Sequence, residues 1–357
     1  MSSNANVFSA RHSVSVDVLD RVAELAVSVD CDSTADRRPI LRELAESGVL
    51  DLGVTDLHGT HLDQVRILAE LAGACMTTAF SAWAHRMTVE YLVRHGGEAN
   101  IDLAHAVRTG ERPGSTAMAA TFRAATGQNE LTVTLTKEND GTLRANGFIS
   151  WASNLYDNAV VVTGMLFDEQ RRIVAFDLDQ DGVEVLPAEG LLALDASKSG
   201  AVRLENVVVE PHRVFDVDFN TFVKAVRPTF LTFQSAFCVG LAAASLSAIH
   251  ELTGVASSLA EPLADRRADL ARVSNEVEQV SLWLDHRTGD SRHHVVKMRL
   301  DAAHLATAAT QLELAIRGGQ AYGAKTPTAR RVREALFLPV QSPTEAQLQW
   351  ELQQYSA

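Results

Sequence analysis

The sequence predicts an α+β protein that is mostly α: an N-terminal helical domain over residues 1–112, a middle β-domain of barrel or sandwich form over 113–217, and a C-terminal four-helix bundle over 218–357. Three observations predict it. Apolar residues recur at helical spacing through the first third of the chain, strict alternation takes over across 115–216, and long helical patterns return from about 220.

In chain order, Val16, Val18, Leu19, Val22, Leu25 and Ala26 mark a first helix, and Ile40, Leu41, Leu44 and Ala45 a second that stops at Gly48. The turn-rich stretch from Asp56 to Thr60 reads as loop, followed by helices over 62–75 and 78–96 and a shorter one over 98–108. Leu131 to Thr136 alternates apolar and hydroxyl side chains, and Asn139-Asp140-Gly141 turns the chain back toward Phe148 and Trp151. Further strands are read at 160–162, 173–176, 183–186 and 202–209. Two long amphipathic helices, 262–286 and 291–317, joined through Thr288-Gly289-Asp290, predict antiparallel packing within a bundle. Gly318-Gly319 ends the second, and another helix begins after Pro327.

A chain of 357 residues carrying a net charge of −13 is a poor match for a polyanion, so a nucleic-acid surface is not expected. With no apolar run of about 18 residues and no basic or apolar leader at the N-terminus, neither a membrane span nor a signal peptide is expected, and the protein is read as cytoplasmic. Cys31, Cys75 and Cys238 lie far apart and read as free thiols rather than a disulfide framework or a zinc site. Lys325, Arg330, Arg331 and Arg333 form a local basic cluster, read equally as a solvated helix face or as a site for a phosphate-bearing ligand.

The β-region carries the chemistry. On an extended backbone Trp151 and Ser153 share a face, which reads either as a flat surface and hydroxyl for a planar cofactor or as a core tryptophan beside a turn serine. Adjacent His293 and His294 diverge on a helix and read as a solvent face.

Several motifs agree in order. Leu41 to Val54 is similar to a Leu-x-x-Leu-x-x-x-Gly-Leu-x-Gly segment, and Asn146-Gly147 followed by Trp151-Ala152-Ser153-Asn154 to Asn-Gly-x-Lys-x-Trp-Ile-Thr-Asn. Asp195 to Pro211, Lys297, Gly318 to Gly323 and Arg330 to Ala335 match a small-residue loop with its terminal strand, a Lys-bearing helix, a Gly-Gly-x-Gly-Tyr loop and Glu-Arg-x-x-Arg-Asp-Ala. Together they resemble the acyl-CoA dehydrogenase superfamily over about residues 37–352. The resemblance implies a flavin, FAD or FMN, contacted by Thr121, Trp151, Ser153, Gly318, Gly319 and Thr344. It also implies a homodimer or homotetramer in which the Gly318-Gly319 loop serves the neighbour's cofactor.

Departures from the family pattern direct the expected reaction. Ser342 stands where the family's α-proton base, a Glu, is expected, and a serine hydroxyl is too weak a base for that step. The family's alternative base position falls near Phe230, with no acidic residue between Asp218 and Glu251. The Arg-x-x-Phe-Gly cofactor grip is absent, and of Thr-Glu-Pro-x-x-Gly-Ser-Asp only Thr121 remains. The pattern implies a flavin monooxygenase acting on a small or carrier-bound metabolite with reduced flavin and O₂, in partnership with a flavin reductase or a carrier protein. Ser153, His85 and Ser342 are its candidate catalytic residues. The alternatives are a thioester dehydrogenase with an unidentified base, for which Glu334 and Glu345 are poor candidates, and a non-catalytic partner subunit of a heteromeric dehydrogenase.

Overall fold

Five helices come first: α1 (Val16–Asp30), α2 (Arg38–Glu46), α3 (His61–Ala74), α4 (Met76–His95) and α5 (Ile101–Arg108). They belong to a computed structural model that describes residues 7–356 apart from 31, 33, 55, 56, 251 and 288–291. Cys31, Asp56 and the Thr288-Gly289-Asp290 connection therefore lie outside the described residues. Thr60 starts α3 with a reciprocal cap, its hydroxyl accepting from the Asp63 amide while the Asp63 carboxylate accepts from the Thr60 amide. Asp63 also accepts from the amides of Arg11 and His12, and these bonds to its ionised form hold its pKa down at about 2 against the cost of burial.

The middle region forms one mixed sheet of seven strands: β1 (Gly114–Thr116), β2 (Val133–Lys137), β3 (Leu143–Ala152), β4 (Val160–Phe167), β5 (Gln170–Asp177), β6 (Val183–Pro187) and β7 (Gly200–Val209). The order is β1-β4-β2-β3-β7-β6, with β5 on the other edge of β4. β1 and β2 pair in parallel with the two ends of β4, and the remaining pairs are antiparallel. A short helix the sequence does not announce, α6 (Ala119–Ala125), sits between β1 and β2.

The C-terminal helices are α7 (Phe219–Ser247), α8 (Ala260–His286), α9 (Arg292–Arg317), α10 (Pro327–Phe337) and α11 (Glu345–Ser356). α7 is the central one, packing on α3 as well as on α8 and α9. Gly240 makes the α3 crossing possible, because a Cβ there would come within 2.1 Å of the Ala69 carbonyl oxygen. α7 also corrects an expectation: it carries a stretch long and apolar enough to cross a membrane. That stretch is 94% buried, so its apolarity is that of a helix covered on all sides by protein. Pro228 lies inside α7 without ending it, and Arg287 donates to the Ala225 carbonyl in the turn where proline interrupts the backbone bonding.

In the basic cluster near 330 Lys325 is exposed, while the arginines are tied up in ion pairs. Arg330 and Arg331 are buried, paired with Glu334 and Glu313, and Arg333 bonds Asp30. Cys75 and Cys238 are buried free thiols whose pKa burial pushes up, to about 11 for Cys238.

Candidate functional site

Phe80 and Trp83 lie on the face of α4 turned to the C-terminal helices, and with three other residues they form a continuous column of rings. Phe337 meets Phe80 at 5.1 Å between centroids, Phe80 meets Trp83 at 5.4 Å, Trp83 meets Phe230 at 4.6 Å, and Phe230 meets Phe122 at 4.8 Å. Edge-to-face contacts predominate, the arrangement ring quadrupoles favour. Trp83, Phe122 and Phe230 are each at most 4% exposed. The space among α4, α6, α7 and α10 is therefore filled by side chains.

Phe122 closes the column at a narrow cleft too tight to admit water. Ser342 and Pro343, with Gln347 and Glu351 of α11, form one wall, and Ala119, Phe122, Arg123, Thr126 and Gln128 the other. The two positions read as alternative sites for an α-proton base, 342 and 230, thus come to either side of Phe122. Neither holds a carboxylate. The Ser342 hydroxyl is buried without a partner. Its loop is held from behind, since the Ser342 carbonyl accepts from Gln234 Nε2 at 3.0 Å. Gln234 Oε1 accepts in turn from the buried Arg299 guanidinium, which also donates to Gln341 Oε1.

Among the carboxylates, Glu334 accepts from the Met76 amide and from Arg330, and Glu345 pairs with His304 in solvent. Glu351 lines the cleft, but both of its oxygens accept from Arg227 Nη2, at 2.6 and 2.8 Å. The Arg227 guanidinium stands 5.9 Å from the Phe122 ring centre, so the ion pair lies directly beside the column.

The other sequence-derived candidates occupy different surroundings. Trp151, near the end of β3, is 56% exposed, with Phe148 of the same strand 40% exposed. Ser153 does not share that face: β3 stops at Ala152, its pairing with β7 slips between Ile149 and Ala152, and the alternation does not carry across. Its hydroxyl is buried against Ser199 Oγ at 2.8 Å, and Ser199 continues to Ser197 at 2.7 Å. Asn154, in the left-handed region at φ 59°, donates to the carbonyls of Ser81 and Gly114 and locks this loop to α4 and β1.

His85 is fully buried on the opposite side of α4 from Trp83, as two residues on a helix require. Its Nδ1 accepts from the Gly114 amide at 3.0 Å, which leaves the proton on Nε2, and burial pushes its pKa down to about 4. It is a neutral strut between α4 and β1, away from the cleft. Thr121 is likewise enclosed, its hydroxyl accepting from the Gly164 amide at 2.9 Å. Thr344 caps α11 by exchanging bonds with Gln347. Gly318 ends α9 at φ 61° and Gly319 follows it, both exposed with open space where a Cβ would stand. His293 and His294 are exposed, as their spacing implies.

Among the described residues no group of three or more His, Cys, Asp or Glu is placed to hold a metal ion. For a flavin, two features fit: the exposed Trp151 face and the unpartnered Ser342 hydroxyl. The enclosed Ser153 and Thr121 hydroxyls do not, because both are already spent on protein partners.

Helices, seven-stranded sheet and helices again, in this order, make up the acyl-CoA dehydrogenase fold. Butyryl-CoA dehydrogenase from Megasphaera elsdenii is similar over 97% of this chain and 99% of its own, at 16% identity and a TM-score of 0.82. A prolyl acyl carrier protein oxidase matches over 96% of this chain and 98% of its own, at 16% identity and a TM-score of 0.80. A nitrososynthase from Micromonospora carbonacea var. africana matches over 96% and 94%, at 18% identity and a TM-score of 0.76. No family model and no curated protein matches the sequence.

Proposed function

We propose that this chain is a flavin-dependent oxidoreductase that works without abstracting an α-proton, a monooxygenase acting on a small or carrier-bound metabolite. The observation that carries this reading is that neither base position holds a carboxylate: Ser342 lines the cleft beside Phe122, Phe230 packs on Phe122, and the one lining carboxylate, Glu351, is tied to Arg227. Proton abstraction beside a thioester carbonyl needs a free carboxylate of suitable basicity, whereas oxygen transfer from a flavin needs a dry, neutral surrounding.

FAD or FMN, when bound, would supply electrons from its reduced form and the means of activating O₂. In this reading Trp151 offers its exposed face to the ring system. Ser342 donates a hydrogen bond from an otherwise unpartnered hydroxyl, and the column from Phe122 to Phe337 excludes water. The exposed Gly318-Gly319 turn suits a phosphate contact made across a subunit boundary, consistent with a homodimer or homotetramer.

A second reading is favoured by the same column: rings that fill the substrate space suit a non-catalytic partner subunit of a heteromeric dehydrogenase. One experiment separates the two. The purified protein is mixed anaerobically with reduced FAD or FMN, O₂ is admitted, and absorbance is followed by stopped flow. An oxygen-dependent transient that precedes the oxidised flavin spectrum supports the monooxygenase. Tight binding with direct reoxidation returns the dehydrogenase reading, and no binding of either flavin leaves the partner subunit.

A further inference from the structure

The wall of the cleft that carries Ser342 is held in two different ways. The turn bearing Ser342 is pinned from behind: the fully buried Arg299 of α9 donates to Gln234 Oε1 at 3.1 Å, to Gln341 Oε1 at 3.0 Å and to the Leu338 carbonyl at 3.4 Å. Gln234 passes the hold on to the Ser342 carbonyl. α11, which supplies Gln347 and Glu351 to the same wall, is seated lightly by comparison. It packs on α9, and among its described residues only Leu348 and Glu351 are buried, while Trp350 and Tyr355 are exposed. Its ion pairs are the exposed one between Glu345 and His304 and the buried one between Glu351 and Arg227 of α7. An exposed pair holds little. A buried pair carries a large desolvation cost, and lifting the helix returns both ions to water, which offsets part of the attraction lost.

The cleft is too tight to admit water, so anything that reaches the space between Ser342 and Phe122 enters only after one wall moves. We propose that α11 is a lid over this cleft, hinged between Ser342 and Thr344, with the Arg227–Glu351 pair as its latch. Thr344 and Gln347 exchange bonds within the first turn and travel with the helix, and the bond from the Glu345 amide to the Pro339 carbonyl, at 2.9 Å, is the pivot. Opening takes Gln347 and Glu351 away from Ala119 and Phe122 and leaves Ser342 in place. α6 is the fixed wall, because Thr121 accepts from the Gly164 amide of β4 and Arg171 of β5 donates to the Ala124 carbonyl. That the lid serves a reaction rests on the reading above; the motion itself does not.

The test uses the purified full chain without flavin, carrying Cys31→Ser and Ser342→Cys, labelled with iodoacetamide under native conditions and read by peptide mass spectrometry. Each rate is divided by that of the same thiol in the urea-unfolded chain. The buried Cys238 of α7 is the internal standard, since it reacts only when the bundle itself opens. The thiol at position 342 should react at least about tenfold faster than Cys238 on this scale, the mark of a local opening that costs less than global unfolding. Adding Glu351→Gln should speed position 342 by about another tenfold, while Cys238 gains less. Equal rates at the two positions, an unchanged rate at 342 in E351Q, or equal acceleration at both would each overturn the lid. Where E351Q fails to fold, hydrogen exchange of the wild-type chain decides: the α11 amides should exchange together and ahead of those of α9, and exchange in step with α9 overturns the proposal as well. No flavin or O₂ takes part, so an oxygen-dependent flavin transient in a chain whose position 342 stays protected sinks only the lid, and a lid that opens without such a transient sinks only the monooxygenase reading.

Discussion

Helix α4 has two faces, and they do opposite things. One carries Phe80 and Trp83 into a dry column of rings shared with α7 and α10. The other carries Ser81, His85 and Thr88 toward β1, where hydrogen bonds tie the helix to the sheet: Asn154 donates to the Ser81 carbonyl, and the Gly114 amide donates to the His85 ring. The polar face is the one that looks chemical in the sequence, and it is the structural one. The apolar face looks like ordinary core, and through Phe230 and Phe122 its rings run on to the Ser342 cleft.

The largest effect expected from breaking this contrast is on the apolar face. Trp83→Ala removes the central ring of the column and should cost about 3–5 kcal/mol, as buried aromatic truncations do. Its indole N–H has no partner, so the loss is one of packing alone. The check is the urea midpoint of the variant against wild type. A shift below about 1 kcal/mol would mean that the column is loosely packed and yields to a substrate without cost.

The polar face is read by pH. His85 has a folded pKa of about 4 against an ordinary value near 6.5, so the unfolded chain binds its proton first as pH falls. The stability it contributes is therefore complete above about pH 6.5, declines as pH falls, and levels off below about pH 4, a loss of about 3 kcal/mol from this one ring. His85→Asn keeps an acceptor for the Gly114 amide but cannot titrate, so its unfolding free energy should fall less steeply across that window. His95, also held down to about 4 by burial, leaves a residual slope in the variant. Identical slopes in variant and wild type would mean that the imidazole takes up its proton alike in the folded and unfolded chain.

How much of this was legible in the sequence follows from the same distinction between local and distant causes. The long helices and the strands were, because residues such as Ile40, Leu41 and Leu44, or Val160 to Val162, report their own burial by spacing. α6 was not: seven residues, including Thr121-Phe122-Arg123-Ala124, are too short to display a period, and they read instead as the remnant of a cofactor motif. Pro228 carries a helix-breaking signal, yet α7 runs through it, with Arg287 donating to the Ala225 carbonyl from 62 positions away. In the site, Trp151 and Ser342 could be found by motif. The direction of His85 could not, since helical spacing says that it opposes Trp83 but not which side faces the cleft. Arg227 and Glu351 meet across 124 positions, Arg123 joins them only in space, and no local pattern marks any of the three.

The smallest effect on stability concerns the aromatic residue that stands apart from the column. Trp151 is 56% exposed where Trp83 is 4%, so Trp151→Ala forfeits little buried area and should change the unfolding free energy by no more than about 0.5 kcal/mol. An exposed indole beside a half-exposed Phe148 is a surface for a ligand rather than a support for the fold. If a flavin ring lies against it, the same substitution should weaken FAD or FMN binding by about tenfold, the loss of one aromatic stacking contact with its apolar burial. Fluorescence quenching of the flavin during titration measures this directly, and Trp83→Phe serves as the paired control. The two faces would then separate cleanly: the column variant loses stability and keeps its flavin affinity, and the strand variant does the reverse. Should W151A bind flavin as tightly as wild type, the ring sits elsewhere, and the exposed indole is better explained as a contact with a second subunit.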